Sequence, residues 1–488
     1  MILMNSCKKK NKHIILLIIF FLNICCSNKY QQNRNVYLIS IDTLRADHIN
    51  PYNYSRNTAP NISKFINDFS ADIFWNIYAI KPMTLPSHAT MLTSLDMNTH
   101  GSISNGVKMR QDIFTLQSYL KSQGYRTGAI VSSFILDQRF GLSLGFDDYD
   151  DNFAKEIRIG RTDSEIFGKW PYFVDKLSRN ASDSINATIQ WVKKNNNKKR
   201  FLFLHLWDPH HPYSPPEFRN IYVNKKYKGV FDGSMSVIEK QNSDEIDINS
   251  DDLANMIALY DAEIYYTDFY LGKLFNYIER NDKNALVIIT SDHGENFEHK
   301  DVYFQHGWLI YNCISRIPLI ICNSGKSNVN IKTKGSNLDF APTILDILGF
   351  KIPDSFLGKS LYSYENIRKP ICITNGIDIS GVILEDYKYI RNFYEKKVIG
   401  NRIITNDGDE LYNIKDDPNE KKNVITQIKC YGDKMKNILR NNEEVYKTTT
   451  ILYNSILEFQ LNKKNSEIEI SNHDKEMQIK LRSLGYLK

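Results

Sequence analysis

The stretch Val36-Tyr-Leu-Ile-Ser-Ile-Asp42 decides the reading of this chain. Its first six residues are apolar except Ser40, and an acid follows directly. A continuous apolar run of this length reads as a strand covered on both faces. An acid at its end lies where open α/β sheets present their sites. The same pattern returns downstream. Apolar runs stand at Gly128-Ala-Ile-Val131, Phe201-Leu-Phe-Leu-His-Leu206, Ala285-Leu-Val-Ile-Ile289 and Ile317-Pro-Leu-Ile-Ile321. Two of them lead into comparable chemistry, Trp207-Asp208-Pro-His210-His211 and Thr290-Ser-Asp292-His293-Gly-Glu295. Amphipathic helical spacing lies between, clearest over residues 253–278. Alternating strands and helices predict an α/β core.

With 488 residues and 42% hydrophobic content the chain has material for a large core. A net charge of +6 is spread thinly, without a basic block interleaved with aromatics, so no nucleic-acid partner is expected. Lys8, Lys9, Lys10 and Lys12 precede an apolar run at 14–22, the layout of an export signal and too short to span a bilayer comfortably. The run ends at Leu22-Asn-Ile-Cys25-Cys26, which resembles a relaxed bacterial lipobox. The expectation is a cell-envelope lipoprotein acylated at Cys25 or Cys26, on the periplasmic or surface face of a bacterial membrane. A plain signal peptide or an uncleaved anchor would export the same body. Residues 1–25 are read as signal and lipobox, 26–35 as tether, 36–360 as the main domain and 361–488 as a smaller subdomain with a charged helical tail. Segments 150–180 and 233–250 read as surface excursions. Cys313, Cys322, Cys372 and Cys430 are too sparse for a disulfide framework or a zinc site, and are expected as structural thiols with room for one bridge.

Carboxylates and imidazoles supplied by separate strands are a normal way to hold a divalent ion. Between the first two apolar runs stands Lys81-Pro-Met-Thr84-Leu-Pro86-Ser-His88, where Pro86 opens a helix. Thr84 then lies near a helix N-terminus, whose amides favour anions. Spacing alone leaves two readings of Thr84 open, a simple cap or a hydroxyl nucleophile activated by a metal.

Taken in order, Asp42-Thr-Leu-Arg-Ala-Asp47-His, Thr58-Ala-Pro-Asn-Ile, Thr84-Leu-Pro-Ser-His88, Asn105-Gly106, Asp208-Pro-His-His-Pro-Tyr213 and Ser291-Asp-His-Gly-Glu295 resemble the motifs of the sulfatase branch of the alkaline phosphatase superfamily. Tyr260-Asp-Ala-Glu263, Arg316-Ile-Pro-Leu-Ile320, Asp386-Tyr-Lys-Tyr389, Glu410-Leu-Tyr-Asn-Ile414, Asp417-Pro-Asn-Glu420 and Leu481-Arg-Ser-Leu-Gly-Tyr486 extend the resemblance over nearly everything after residue 35. It implies an alkaline-phosphatase-like α/β fold, a large, mixed but mostly parallel sheet sandwiched by helices, with a smaller C-terminal α+β subdomain. It also implies one divalent metal ion held by Asp42, Asp292, His293 and Thr84, with Thr84 at the nucleophile position. By the same resemblance Asn105, His88 and His210 contact the anionic substrate group, and His210 or His306 protonates the leaving oxygen. Such oxygen and imidazole ligands suit Ca, Mg, Mn or Zn. His48, His100, His211 and His299 are read as buried structural residues.

Three departures bear on mechanism. Sulfatases oxidise a Cys or Ser at the nucleophile position to formylglycine, and Thr84 does not yield that aldehyde, so formylglycine is not expected. Ala129-Ile-Val-Ser-Ser133 replaces their Gly-Lys-Trp-His segment. Asp292-His293 stands where they carry Asp-Asn, as in phosphonate monoester hydrolases, nucleotide phosphodiesterases and phosphoethanolamine or glycerophosphate transferases. The expected function is metal-dependent hydrolysis of a sulfate or phosph(on)ate ester on an envelope or extracellular glycan or lipid. The rivals are a phosphoryl-group transferase, although those usually carry several membrane helices, and a catalytically silent lipoprotein that binds anionic glycans. No Asp-x-x-x-His pair surrounds Asp208, so one ion rather than two is expected.

Overall fold

The computed structural model describes residues 34–440 except 154–177, 216, 301, 327–332, 364–369, 377, 395, 400–401 and 406–407. The segments read as export signal and lipobox, most of the stretch read as tether, and the residues from 441 lie outside the described residues. Eight strands form the main sheet: β1 (Val36–Ile41), β2 (Ala71–Tyr78), β3 (Arg126–Ile130), β4 (Asp148–Asp150), β5 (Arg200–Leu206), β6 (Leu286–Thr290), β7 (Arg316–Cys322) and β8 (Lys334–Ser336). Their order is β4-β3-β5-β1-β6-β7-β2-β8. β1 pairs in parallel with β5 on one side and β6 on the other. β7 runs antiparallel to both β2 and β6, which makes the sheet mixed but mostly parallel. Every residue of β1, β5 and β6 is buried, because helices cover both faces.

The helices include α1 (Pro60–Asp68), α2 (Thr84–Thr93), α3 (Met97–His100), α4 (Leu116–Ser122), α5 (Ala181–Lys194), α6 (Met235–Asn242), α7 (Ser250–Asn281), α8 (Asn312–Ser315) and α9 (Phe340–Ile347). The pleat of β1 sorts the two cores. Tyr37, Ile39 and Ile41 pack with Ile185 of α5 and Leu259 and Ile264 of α7. Val36 and Leu38 pack with Leu85 and Met91 of α2, Leu116 of α4 and Ile344 of α9. Ser40 lies on that second face, where it meets α2. The amphipathic pattern read over 253–278 becomes α7, which an Asn249–Asp252 capping box opens. No helix among the described residues is long and apolar enough to cross a membrane.

A second sheet follows, antiparallel, in the order β14-β11-β10-β9 from β9 (Ile371–Thr374), β10 (Ile379–Leu384), β11 (Tyr387–Asn392) and β14 (Glu410–Asn413). A hairpin joins β12 (Lys396–Ile399) to β13 (Arg402–Thr405). Within this second subdomain Lys388 of β11 and Glu420 form a fully buried ion pair at 2.8 Å. The Lys388 ammonium also donates to the Ile310 carbonyl at 2.6 Å and to Ser315 Oγ at 3.2 Å, fixing the segment that leads into β7. The four described cysteines are all free thiols, so the bridge allowed for in the sequence does not form.

His100 ends α3 fully buried, its Nδ1 accepting from the Ser102 amide and its Nε2 paired with Thr90 Oγ1. Burial lowers its pKa to about 3. The unfolded chain takes up this proton near pH 6.5 and the folded chain does not. Stability is therefore full above that pH and falls as pH drops toward 3. By pH 5 this one group should remove about 2 kcal/mol. Denaturant titrations at pH 7 and pH 5 should show the loss, and His100→Gln should flatten the slope.

Candidate active site

Because β5, β1 and β6 run parallel, their C-terminal ends meet at one edge of the sheet. Asp42 follows β1 with its amide bonded to the Leu206 carbonyl at the end of β5, and Asp292 and His293 follow β6. Thr43 carries φ of 54°, a conformation unfavourable for a β-branched residue. It is held there by Tyr260 Oη, which donates to its carbonyl, and by Asp292 Oδ1, which accepts from its amide at 3.3 Å. Asp292 Oδ1 also accepts from the His293 amide at 2.9 Å. That oxygen is used by the backbone, so Oδ2 is the one presented to the site, 3.3 Å from His293 Nε2. The His293 ring is oriented through Nδ1, 3.0 Å from the Gly294 carbonyl.

Thr84 is the first residue of α2, a helix whose ten residues are all buried. Its Oγ1 lies 3.3 Å from His293 Nε2. Asn105 Oδ1 accepts from the Leu85 amide at 2.9 Å, and Ser87 Oγ donates to the Asp292 carbonyl at 2.8 Å. These bonds lock the helix N-terminus against the end of β6. Pro86 sits in the first turn, where a missing N–H leaves no intrahelical bond unmade.

Asp42, Asp292 and His293 present one ligand atom each within 4.8 Å of one another. Both oxygens of Asp42 and Oδ2 of Asp292 are buried without a hydrogen-bond partner among the described residues. Burial, then the neighbouring Asp292, push Asp42 well above the ordinary carboxylate range. Two buried carboxylates left in this state are strongly disfavoured unless a cation joins them. With an imidazole lone pair and a hydroxyl alongside, the donor set fits a divalent ion.

His306 stacks on His293 with ring centroids 4.4 Å apart, and His210 lies 4.9 Å from His306. Asn105 joins the group through α2, and its amide Nδ2 makes no hydrogen bond to the described residues. The expectation for His88 needs correction. It is fully buried, with Nε2 2.8 Å from Ser40 Oγ and Nδ1 2.7 Å from the Thr84 carbonyl, and burial lowers its pKa to about 3. A neutral ring with both nitrogens engaged supplies no positive charge to a transferring group. Its geometry instead ties α2 to β1. His48 and His100 are buried and His299 is partly buried. His48 pairs with Asp261 at 2.7 Å and His299 stacks on Tyr311.

Sequence reasoning missed His205 and the contribution of Glu295. His205 Nε2 lies 3.3 Å from Asp42 Oδ2, while its Nδ1 accepts from the Ser132 amide. Its signal was an imidazole inside the otherwise apolar run of β5. Glu295 is fully buried between His211 and His306. Arg45, also buried, pairs with Asp47 and Glu298 and donates to the Glu295 carbonyl at 3.2 Å, which explains the Leu-Arg-Ala-Asp stretch structurally. Gly294 has no room for a side chain, since a Cβ there would lie 2.0 Å from the Cys313 carbonyl oxygen. Gly294→Ala should lower the unfolding free energy by about 3 kcal/mol, measurable by urea titration, as the strand-end loop and the α8 segment are forced apart.

The fold is of the alkaline-phosphatase-like α/β class. The profile of the Sulfatase family matches residues 34–350, and the chain belongs to that family of sulfuric or phosphoric ester hydrolases. It is 25% identical to the uncharacterized sulfatase YidJ of Escherichia coli (strain K12), over 73% of this chain and 76% of that one. It is 22% identical to the N-acetylglucosamine-6-O-sulfatase of Bacteroides thetaiotaomicron, over 91% and 92% of the two chains. Among solved structures, BT4656 in complex with its substrate D-glucosamine-2-N,6-O-disulfate shares the fold, with TM-score 0.64, 18% identity and coverage of 85% of this chain and 98% of that chain. The phosphonate monoester hydrolase of Agrobacterium radiobacter does so with TM-score 0.60, 17% identity and coverage of 85% and 96%.

Proposed function

We propose that this chain is a metal-dependent hydrolase of sulfate or phosph(on)ate esters that uses Thr84 as its nucleophile. The observation that carries the reading is the Thr84 hydroxyl, 3.3 Å from His293 Nε2 at a buried helix N-terminus. It stands beside carboxylate oxygens that accept no hydrogen bond from the described residues. Asp42, Asp292, His293 and Thr84 would hold one divalent ion, which when bound supplies charge neutralisation and lowers the pKa of a neighbouring hydroxyl. Thr84 Oγ1 attacks the phosphorus or sulfur in line and displaces the alcohol. The Asn105 amide and the first-turn amides of α2 meet charge on the transferring group. His210 or His306 gives the leaving oxygen its proton, a task suited to imidazole near neutral pH. Water then releases the threonyl ester.

The substrate class we infer is a sulfated or phosphorylated glycan or lipid of the cell envelope. It is supported by the disulfated glucosamine bound to BT4656 and by the export signal and Cys25-Cys26 segment of this sequence. Acylation at either cysteine would hold the site at a membrane face. The test is turnover of aryl sulfate, aryl phosphonate and bis-aryl phosphate by the full-length chain, stripped of metal and then supplied with Mn, Zn, Mg or Ca. Cleavage that returns only with a cation supports the reading, and the preferred ester names the chemistry. No turnover of any ester, together with no bound metal, would favour a silent glycan-binding role.

A further inference from the structure

The topology sets the start of α7 at the sheet edge that carries the candidate active site. β5 ends at that edge, while β6 begins at the opposite one. The far end of α7 reaches that opposite edge, since Asp282, which follows it, accepts from Asn35, Tyr37 and Arg200 at the starts of β1 and β5. A helix of 32 residues is about 48 Å long, so its first turns stand at the active-site edge or beyond it. There they form one wall of a cavity of about 420 Å³, whose other wall is the loop at 222–229. That volume lies in the range of small-ligand pockets, roughly 300–1,000 Å³. The cavity shares no lining residue with the Thr84 site.

Asn255 lines this cavity with an acceptor left over. The residue is 6% exposed and its Nδ2 donates to the Phe231 carbonyl at 2.7 Å. Its Oδ1 is buried with no hydrogen-bond partner among the described residues. A buried carbonyl oxygen in this state is disfavoured until a donor reaches it. The walls around it carry both signs of charge. Lys226 and Lys228 come from the loop and Asp251 from α7, and none of the three forms an ion pair with the described residues. Asp252, by contrast, is committed, accepting from Tyr227 Oη at 2.6 Å and from the Asn249 amide at 3.2 Å. Hydroxyl groups donate to an amide oxygen and to a carboxylate, and an anionic substituent suits a pair of ammonium groups. A sugar unit that carries a sulfate or a carboxylate offers both.

We propose that this cavity is a glycan-binding site, which takes one acidic sugar unit of a chain whose other part reaches the catalytic edge. The two sites share a wall. Ala258 lines the cavity, and Tyr260, two residues on, donates to the Thr43 carbonyl beside Asp42. Arg56 lines the cavity as well and pairs at 2.7 Å with Asp261, which also holds His48 of the segment after β1. That the bound glycan is also the substrate rests on the ester-hydrolase reading, whereas the binding itself does not.

Isothermal titration of the full-length chain with a sulfated hexasaccharide prepared from heparin reads the binding directly, with a neutral glucose hexasaccharide as control. Lys226→Ala/Lys228→Ala removes the cations. Ala254→Trp, at an exposed helical position on the cavity wall, fills the space and leaves the charge unchanged. Each should weaken the sulfated ligand by about tenfold or more, the size of one lost charge-assisted hydrogen bond. Cleavage of a small aryl ester should be unchanged in both. Thermal melts establish folding, and Ala254→Gln replaces the tryptophan variant if that one is not folded. No binding by the parent, equal binding of the neutral hexasaccharide, or full binding in the folded Ala254 variant would overturn the proposal. The last result, with loss in the lysine variant alone, would mean diffuse charge attraction rather than a site. A chain that binds through the cavity and cleaves no ester would leave this site standing and contradict the hydrolase reading. Cleavage of aryl esters, with the hexasaccharide bound equally by the parent and both variants, would do the reverse.

Discussion

Thr84→Ala is expected to lower turnover by about 1000-fold or more, because it removes the atom that forms the covalent bond. The substitution is structurally mild. Thr84 is the first residue of a helix, alanine favours helix, and the hydroxyl is 3.3 Å from a single imidazole nitrogen. The unfolding free energy should shift by less than about 1 kcal/mol. Thr84→Ser restores the hydroxyl and should recover a measurable part of the rate. Steady-state kinetics on the preferred ester, with melts run in parallel, separates lost chemistry from lost fold. Equal rates for the parent and Thr84→Ala would remove Thr84 from the mechanism.

Asp42→Asn should give effects of opposite sign with and without metal. Without metal, a buried carboxylate with no hydrogen-bond partner and a second carboxylate nearby is a liability. Its neutral isostere should raise the melting temperature, corresponding to about 1–2 kcal/mol. With metal, the parent gains about 3–4 kcal/mol at ion concentrations 100- to 1000-fold above Kd, and the variant should gain little at that site. Turnover should fall with the lost ion. Melts in chelator and in added Mn or Zn read both effects. A variant less stable than the parent in chelator would mean that Asp42 has a purely structural partner.

The strands that could be read from sequence, β1, β3, β5, β6 and β7, are those whose burial on both faces leaves an unbroken apolar run. β2 was not legible, because Ala71-Asp-Ile-Phe-Trp-Asn-Ile-Tyr78 mixes polar and apolar residues around a register shift against β7. β4 and β8 are three residues each and carry no periodic signal. That Asp42, Asp292, His293 and Thr84 come together was legible, because strand ends and helix starts are marked locally. The part played by His88 was not, since it depends on Ser40, 48 residues away in the chain. His205 and Glu295 were hidden for the same reason. A polar residue inside a buried strand or loop acquires its meaning from whichever element the sheet order sets beside it. The meeting of His210 and His211 with His306 needed the fold to bring the end of β5 against the loop after β6, and no spacing rule joins them.

The central claim is covalent catalysis from Thr84, and trapping the intermediate tests it most directly. The metal-loaded full-length chain would be mixed with its preferred ester, quenched in acid during turnover, digested and examined by mass spectrometry. A phosphoryl or sulfuryl group should be found on the peptide that carries Thr84, present during turnover and absent when a chelator is added first. Sustained turnover with no adduct on that peptide, and with Thr84→Ala as active as the parent, would contradict the account.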